Sequence, residues 1–255
     1  MEEVSTWQDG ETNYVNIRGG TGPLVYPAGF LYLYSFFKWA SDGGKDIFLA
    51  QCGFCVLYVI NAAVVLSIYT IILDNERNKM QIQVSEEEEG KGKKEDEKLK
   101  KKKTNASSPS IKVANIVWSW RIAMILLSLS KRIHSIFVLR LFNDAPCMVL
   151  FYISVYLFMK ARYRLGCVFF SLAVSIKMNI LLFAPGLLLL LLQCHSSLLG
   201  TIECLGICAI VQILLGAPFL LTYPVSYIRK AFEFDRVFFF KWTVNWKVCI
   251  RRSIV

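Results

Sequence analysis

Only two histidines, His134 and His195, occur in the chain, and neither stands with carboxylates or thiols at metal-ligand spacing. That excludes a zinc-type centre from the expected chemistry, and no metal or cofactor is expected. No cleavable secretory leader is expected either. The start, Met1-Glu2-Glu3-Val4, is acidic and runs into about forty residues without a clean apolar core. Insertion then falls to an internal signal anchor at 47–73 or to a helix upstream of Met1. The eight cysteines are scattered through or beside apolar stretches, which leaves no disulfide framework. Cys52-Gly53-Phe54-Cys55 has redox spacing, but its setting is an apolar helix and not a strand-to-helix turn. No repeat relates the two halves of the chain, which disfavours a transporter with paired broken helices.

What is abundant is apolar surface. Hydrophobic residues make up 55% of the chain and mean hydropathy is +0.45 despite a long charged insert, more than a soluble chain of this length can bury. Apolar segments at 47–73, 113–130, 145–159, 165–176, 180–193 and 199–221 predict an all-α, polytopic membrane protein with about six crossings. Only the first and last are comfortably long enough for a hydrocarbon core, so the others must thin the bilayer, extend into their flanks or stop partway. Residues 24–41 contain Pro27, Lys38 and many aromatics, which predicts an interfacial helix.

The charged tract between 74 and 112 offers no apolar face and is expected to be disordered. From Asp74 to Lys103 it carries ten basic and nine acidic side chains, so the formal charge of +10 belongs mostly to the rest of the chain. A lysine-rich tract tethered between membrane helices reads as a solvated cytosolic loop and not as a nucleic-acid contact. Alternation then divides the chain into a lumenal loop at 1–46, a membrane helix at 47–73, the cytosolic loop at 74–112, a bundle of about five helices at 113–221 and a lumenal tail at 222–255. Lys160, Arg162 and Arg164 fall on the cytosolic side, as the positive-inside bias prefers. The basic tail does not follow that bias, and phosphate binding would account for its charge.

Chemistry concentrates at the lumenal helix ends. Charge beside hydrocarbon is costly and is usually retained for use. Residues 19–27 hold three glycines and two prolines and form a shaped loop, flanked by Tyr14, Tyr26 and Phe30. The segment from Arg132 to Asp144 includes His134, Arg140 and Asn143. Arg140 and Asp144, four apart, would share a face if the segment is helical. Lys177-Met178-Asn179 lies between two short apolar segments. Trp242, Asn245 and Trp246 stand between Lys241 and Lys247. Each cluster is also compatible with plain headgroup anchoring.

These same stretches carry a resemblance. The strip Thr21-Gly22-Pro23-Leu24-Val25-Tyr26-Pro27-Ala28-Gly29-Phe30, the run from Arg132 to Asp144, Phe169 to Asn179, and Trp242-Thr243-Val244-Asn245-Trp246 are similar to the dolichyl-phosphate-mannose-dependent α-1,3-mannosyltransferases of the endoplasmic reticulum, the Not56-like family. The similarity spans roughly 1–73 and 111–247 and leaves out the charged insert. It implies a multi-spanning (GT-C-like) glycosyltransferase of the endoplasmic reticulum membrane with its site at the lumenal face. Its implied donor is dolichyl-phosphate-mannose and its acceptor a five-mannose dolichyl-diphosphate oligosaccharide, with membrane lipid around it and no nucleic acid. Family enzymes place an acid in an Ile-Asp-Trp stretch after their first membrane helix. The resemblance begins beyond that point, so the base is expected upstream of Met1 and this chain is expected to transfer little. At the other end the resemblance is expected to break after Trp246.

The reaction sets its own requirements. Moving mannose from a β-linked phosphate into an α linkage inverts the anomeric carbon, so a carboxylate should deprotonate the acceptor while cations hold the departing phosphate. Arg140 and Lys177 are the expected cations, within one pocket with Tyr26. His134, Asn143, Asp144, Asn179, Trp242, Asn245 and Trp246 complete the expected substrate contacts. Asp144 is expected to orient Arg140. Asp9, Glu11 and Asp144 are substitutes for the base. A noncatalytic fragment or scaffold, or a small-solute transporter, are the rival readings.

Overall fold

The computed structural model describes residues 1–92, 118, 122, 126, 129–195 and 197–232, except Thr21. Among these the chain is helical apart from one small hairpin. Helix α1 (Glu2–Gln8) leads to strands β1 (Arg18–Gly19) and β2 (Gly22–Pro23), which pair antiparallel with Gly19 opposite Gly22. Gly22 needs its φ of 126°, which a side chain would oppose. Helix α2 (Ala28–Ala40) follows Pro27 and ends where Asp42, Gly43 and Gly44 all take positive φ.

Helix α3 (Ile47–Gly92) is a single rod of 46 residues. The sequence predicted disorder from Asp74 onward, but residues 74–92 continue the helix. Glu, Lys, Gln and Met are strong helix formers, and the Glu76–Lys79 pair at 2.8 Å adds local support. The rest of the tract, 93–112, lies outside the described residues. After helix α4 (Lys131–His134) a π-helical turn covers Ser135–Leu139, and the chain bends by 106° into α5 (Asp144–Met159). The remaining helices are α6 (Tyr163–Ile176), α7 (Ala184–Cys194, entered through a 3₁₀ turn at Met178–Phe183), α8 (Leu198–Leu220) and α9 (Pro224–Ala231).

This is a helical membrane protein. Among the described residues, Ile47–Ile82 and Leu198–Leu220 are long and apolar enough to cross a bilayer, and the bent pair Lys131–Leu139 with Asp144–Met159 would make a third. Tyr163–Ile176 and Met178–Cys194 are apolar but shorter.

Helices α5 and α6 form an antiparallel hairpin, with α3 against α5 and α8 against α6. Small side chains allow the approach: Cys147 donates its thiol to the Ala173 carbonyl at 3.4 Å, and Gly166 faces the Phe158 ring. Polar bonds join α6 to α8, where Ser171 donates to Cys208 O at 2.7 Å and Gln212 donates back to Ser171 O at 2.6 Å. The first segment caps one end of this bundle. Val4, Tyr14, Ile17 and Leu24 share a core with Phe219 and Tyr227, and Tyr14 meets both of those rings edge-on at 4.9 Å. Helix α2 is therefore more than an interfacial float, because it packs against α6 and α8.

Candidate active site

An antiparallel hairpin puts the start of one helix beside the end of the other. Asp144, in the first turn of α5, and Lys177, the residue that ends α6, thus meet at one end of the bundle. The Lys177 Nζ lies 2.5 Å from Asp144 Oδ1. The lysine side chain is 18% exposed and the carboxylate 41%, so the pair is reachable but partly desolvated. Asp144 also complements the positive end of α5.

Helix α2 and its lead-in carry an aromatic ladder built by helical spacing, tied at one point to the loop that leads into Asp144. Tyr26, Phe30 and Tyr34 stack with centroids 4.7 and 4.5 Å apart. Tyr34 donates its hydroxyl to Leu141 O at 2.9 Å, which ties α2 to the loop just before Asp144. Burial raises the Tyr34 hydroxyl above the ordinary tyrosine range, and Tyr26, Asp144 and Glu3 add to that in the same direction. The hydroxyl therefore acts as a neutral donor. Gly29 sets the ladder's position. A Cβ there would lie 2.2 Å from Ser175 Oγ and 2.9 Å from the Ser175 carbonyl carbon, so α2 can cross α6 this closely only without a side chain. The glycine- and proline-rich strip is thus both a turn and a packing surface.

The expected Arg140–Asp144 pair does not form. The helical turn ends at Leu139 and Leu141 takes a φ of 51°, so four residues of separation no longer mean a common face. Arg140 is exposed and has no ion pair among the described residues. Asp144 orients Lys177 instead. Asn143 is 5% exposed and its Nδ2 has no hydrogen-bond partner among the described residues. His134 is placed elsewhere, edge-on to Tyr58 of α3 at 4.9 Å. Asn179 is exposed on the 3₁₀ turn just after Lys177. Trp242, Asn245 and Trp246 lie outside the described residues.

The three substitute bases are poorly suited to the task. Glu11 accepts from the Asn13 N–H at 2.8 Å and from the Asn16 amide at 3.1 Å, which holds it below the ordinary glutamate range and makes it a turn cap. Asp9 is the exposed residue that ends α1. Asp144 is neutralised by Lys177. Tyr34 was not among the expected site residues, although its spacing of eight from Tyr26 and four from Phe30 is a legible helical stripe.

Comparison with known proteins places this geometry in context. The family model of the ALG3 protein matches residues 1–84 and 111–254. The chain belongs to the ALG3 protein family. The internal gap in that match, 85–110, coincides with most of the charged insert. The ALG3 match also runs past Trp246 to residue 254, so the expected break there is not found. An Arabidopsis thaliana relative named Dol-P-Man:Man(5)GlcNAc(2)-PP-Dol alpha-1,3-mannosyltransferase is 43% identical over all of this chain and 48% of its own length. A Dictyostelium discoideum relative, named a probable enzyme of the same activity, is 47% identical over 97% of this chain and 52% of its own. The human relative of that name is 40% identical over 97% of this chain and 46% of its own. The chain thus spans about half the length of these curated relatives. No solved structure matches it.

Proposed function

We propose that this ALG3-family chain takes part in transferring mannose, in α-1,3 linkage, from dolichyl-phosphate-mannose to the Man5GlcNAc2-diphosphate-dolichol precursor of N-glycans. The activity is that of a hexosyltransferase of the endoplasmic reticulum membrane, within a multi-pass bundle of about six crossings. Family membership supports the reaction class. The observation that supports this reading of the site is the partly desolvated Lys177–Asp144 pair, with Tyr34 of the aromatic ladder donating to Leu141 O just before Asp144.

The chemistry follows from those groups. Lys177, fixed by Asp144, presents an ammonium to the phosphate that leaves the anomeric carbon, so charge developing on phosphate meets a positioned cation. Arg140, exposed next to Leu141, supplies a second cation with freedom to close on the lipid phosphate. The unpaired Asn143 amide offers a neutral donor beside it. No acid is needed at the leaving group, because phosphate departs as an anion. On this reading the end of the bundle carrying Asp144, Lys177 and α1 is lumenal, and 74–112 is cytosolic.

Expression in cells lacking the mannosyltransferase tests this reading, with this chain joined to the remaining length of its relatives. Growth of the lipid-linked oligosaccharide from five to six mannoses, abolished by Lys177→Met at unchanged protein abundance, is the expected result. Persistence of the five-mannose species with the extended protein carrying the unmutated chain would sink it.

A further inference from the structure

The end of the bundle opposite Lys177 holds a cavity of about 330 Å³. It is lined by Ala161, Arg162, Tyr163, Arg164, Leu165 and His195, so one wall is the turn from α5 into α6 and the other is the end of α7. That volume suits a small ligand or a headgroup and exceeds what a packing defect leaves. The two arginines stand differently. Arg164 is engaged, with Nε 2.9 Å from Glu203 Oε1 and a terminal nitrogen 3.0 Å from Glu203 Oε2, a two-point clamp onto α8. Arg162 is exposed, and its guanidinium has no partner among the described residues.

The histidine is held in one orientation. Its Nδ1 lies 3.1 Å from the Leu191 carbonyl, a contact that needs an N–H, so Nε2 of the neutral ring keeps its lone pair for another donor. Gly200 makes room for the ring, since a Cβ there would lie 2.5 Å from His195 Cδ2, and Tyr163 stands against it at 5.1 Å between centroids. The cavity thus joins a rigid wall to an unengaged guanidinium and an acceptor nitrogen. A guanidinium fork matches a phosphate, and the surroundings favour one tethered to acyl chains over one free in water. Leu165 in the wall is exposed, and Leu198 and Leu199, beside Gly200 at the start of the span Leu198–Leu220, are 69% and 76% exposed.

We propose that this cavity binds the headgroup of an anionic glycerophospholipid, with the phosphate on Arg162 and a headgroup hydroxyl donating to His195 Nε2. None of these residues belongs to the Lys177 end, so the site stands apart from the transferase reading. Lys160 provides the contrast. It lies close by in sequence but outside the cavity, with its Nζ over the Tyr156 ring at 5.8 Å.

The test is binding of short-chain phosphatidylinositol to the purified full chain in detergent, read as the lipid-bound fraction by native mass spectrometry, with short-chain phosphatidylcholine and free inositol phosphate in parallel. Phosphatidylinositol should bind more tightly than either. Arg162→Gln should weaken it about tenfold, the scale of a lost hydrogen bond to a charged group. Lys160→Gln removes the same charge outside the cavity and should leave it unchanged. His195→Phe keeps a ring but removes the acceptor, and Leu165→Trp fills the cavity without altering charge; both should weaken it. Equal losses from Arg162→Gln and Lys160→Gln would mean diffuse surface charge and overturn the proposal, as would equal affinity for phosphatidylcholine or unchanged binding by His195→Phe. Free inositol phosphate binding as tightly as the lipid would overturn it too, by assigning the cavity to a soluble ligand.

Discussion

Replacing Gly29 with alanine probes the crossing that positions the aromatic ladder. The new methyl would sit 2.2 Å from Ser175 Oγ, 2.8 Å from Ser175 Cβ and 2.9 Å from the Ser175 carbonyl carbon. Ordinary carbon contacts need about 3.5 Å or more, so rotating the serine hydroxyl away cannot suffice. The backbone contact remains, and α2 must retreat from α6 by roughly half an ångström or more. Overpacking of this kind costs about 1–3 kcal/mol, and the upper half of that range is expected because backbone cannot repack. Stability is read as the melting temperature of the purified chain in detergent, and function as lipid-linked oligosaccharide size. Moving Tyr34 away from Leu141, just before Asp144, by even about 1 Å is expected to lower transfer on the order of a hundredfold, so the functional loss should exceed the loss of folded protein. Ser175→Gly in the same chain removes the two closest contacts but not the one at 2.9 Å, so it should restore the variant only in part. A Gly29→Ala chain with wild-type melting and wild-type transfer would refute the close-crossing account of the strip.

Three further outcomes follow from the same geometry. Asp144→Asn should lower transfer through loss of Lys177 positioning, and Lys177→Arg in that background should not recover it; retention of activity by Asp144→Asn would separate the pair from the chemistry. In a full-length context, Arg140→Ala should reduce turnover far more than abundance, by about 2.7–4 kcal/mol if the phosphate contact resembles a positioned oxyanion donor, and unchanged transfer would remove Arg140 from the site. Protease added to sealed microsomes should cut within 86–108, and full protection of that tract would reverse the assigned sidedness.

Much of the architecture was readable because it depends on local hydropathy. The run 47–73 and the run 199–221 emerge as the two long apolar helices, and the stretches 145–159, 165–176 and 180–193 as shorter ones, while most of 113–130 lies outside the described residues. Lys177 stood out for a similar reason, since an ammonium between two apolar segments is expensive wherever the chain folds. Its partner could not be read in the same way. Pairing Arg140 with Asp144 assumed a continuous helix, and a leucine with a φ of 51° followed by a bend of 106° has no local signature that would have broken the assumption. Asp144 and Lys177 are separated by 33 residues, and only the antiparallel return of α6 along α5 brings them to 2.5 Å. Composition and period thus determined which segments are helices and which charges are costly, because both are set by a residue and its near neighbours. Which charges meet was decided by the tertiary structure, because that depends on where helices end, bend and cross.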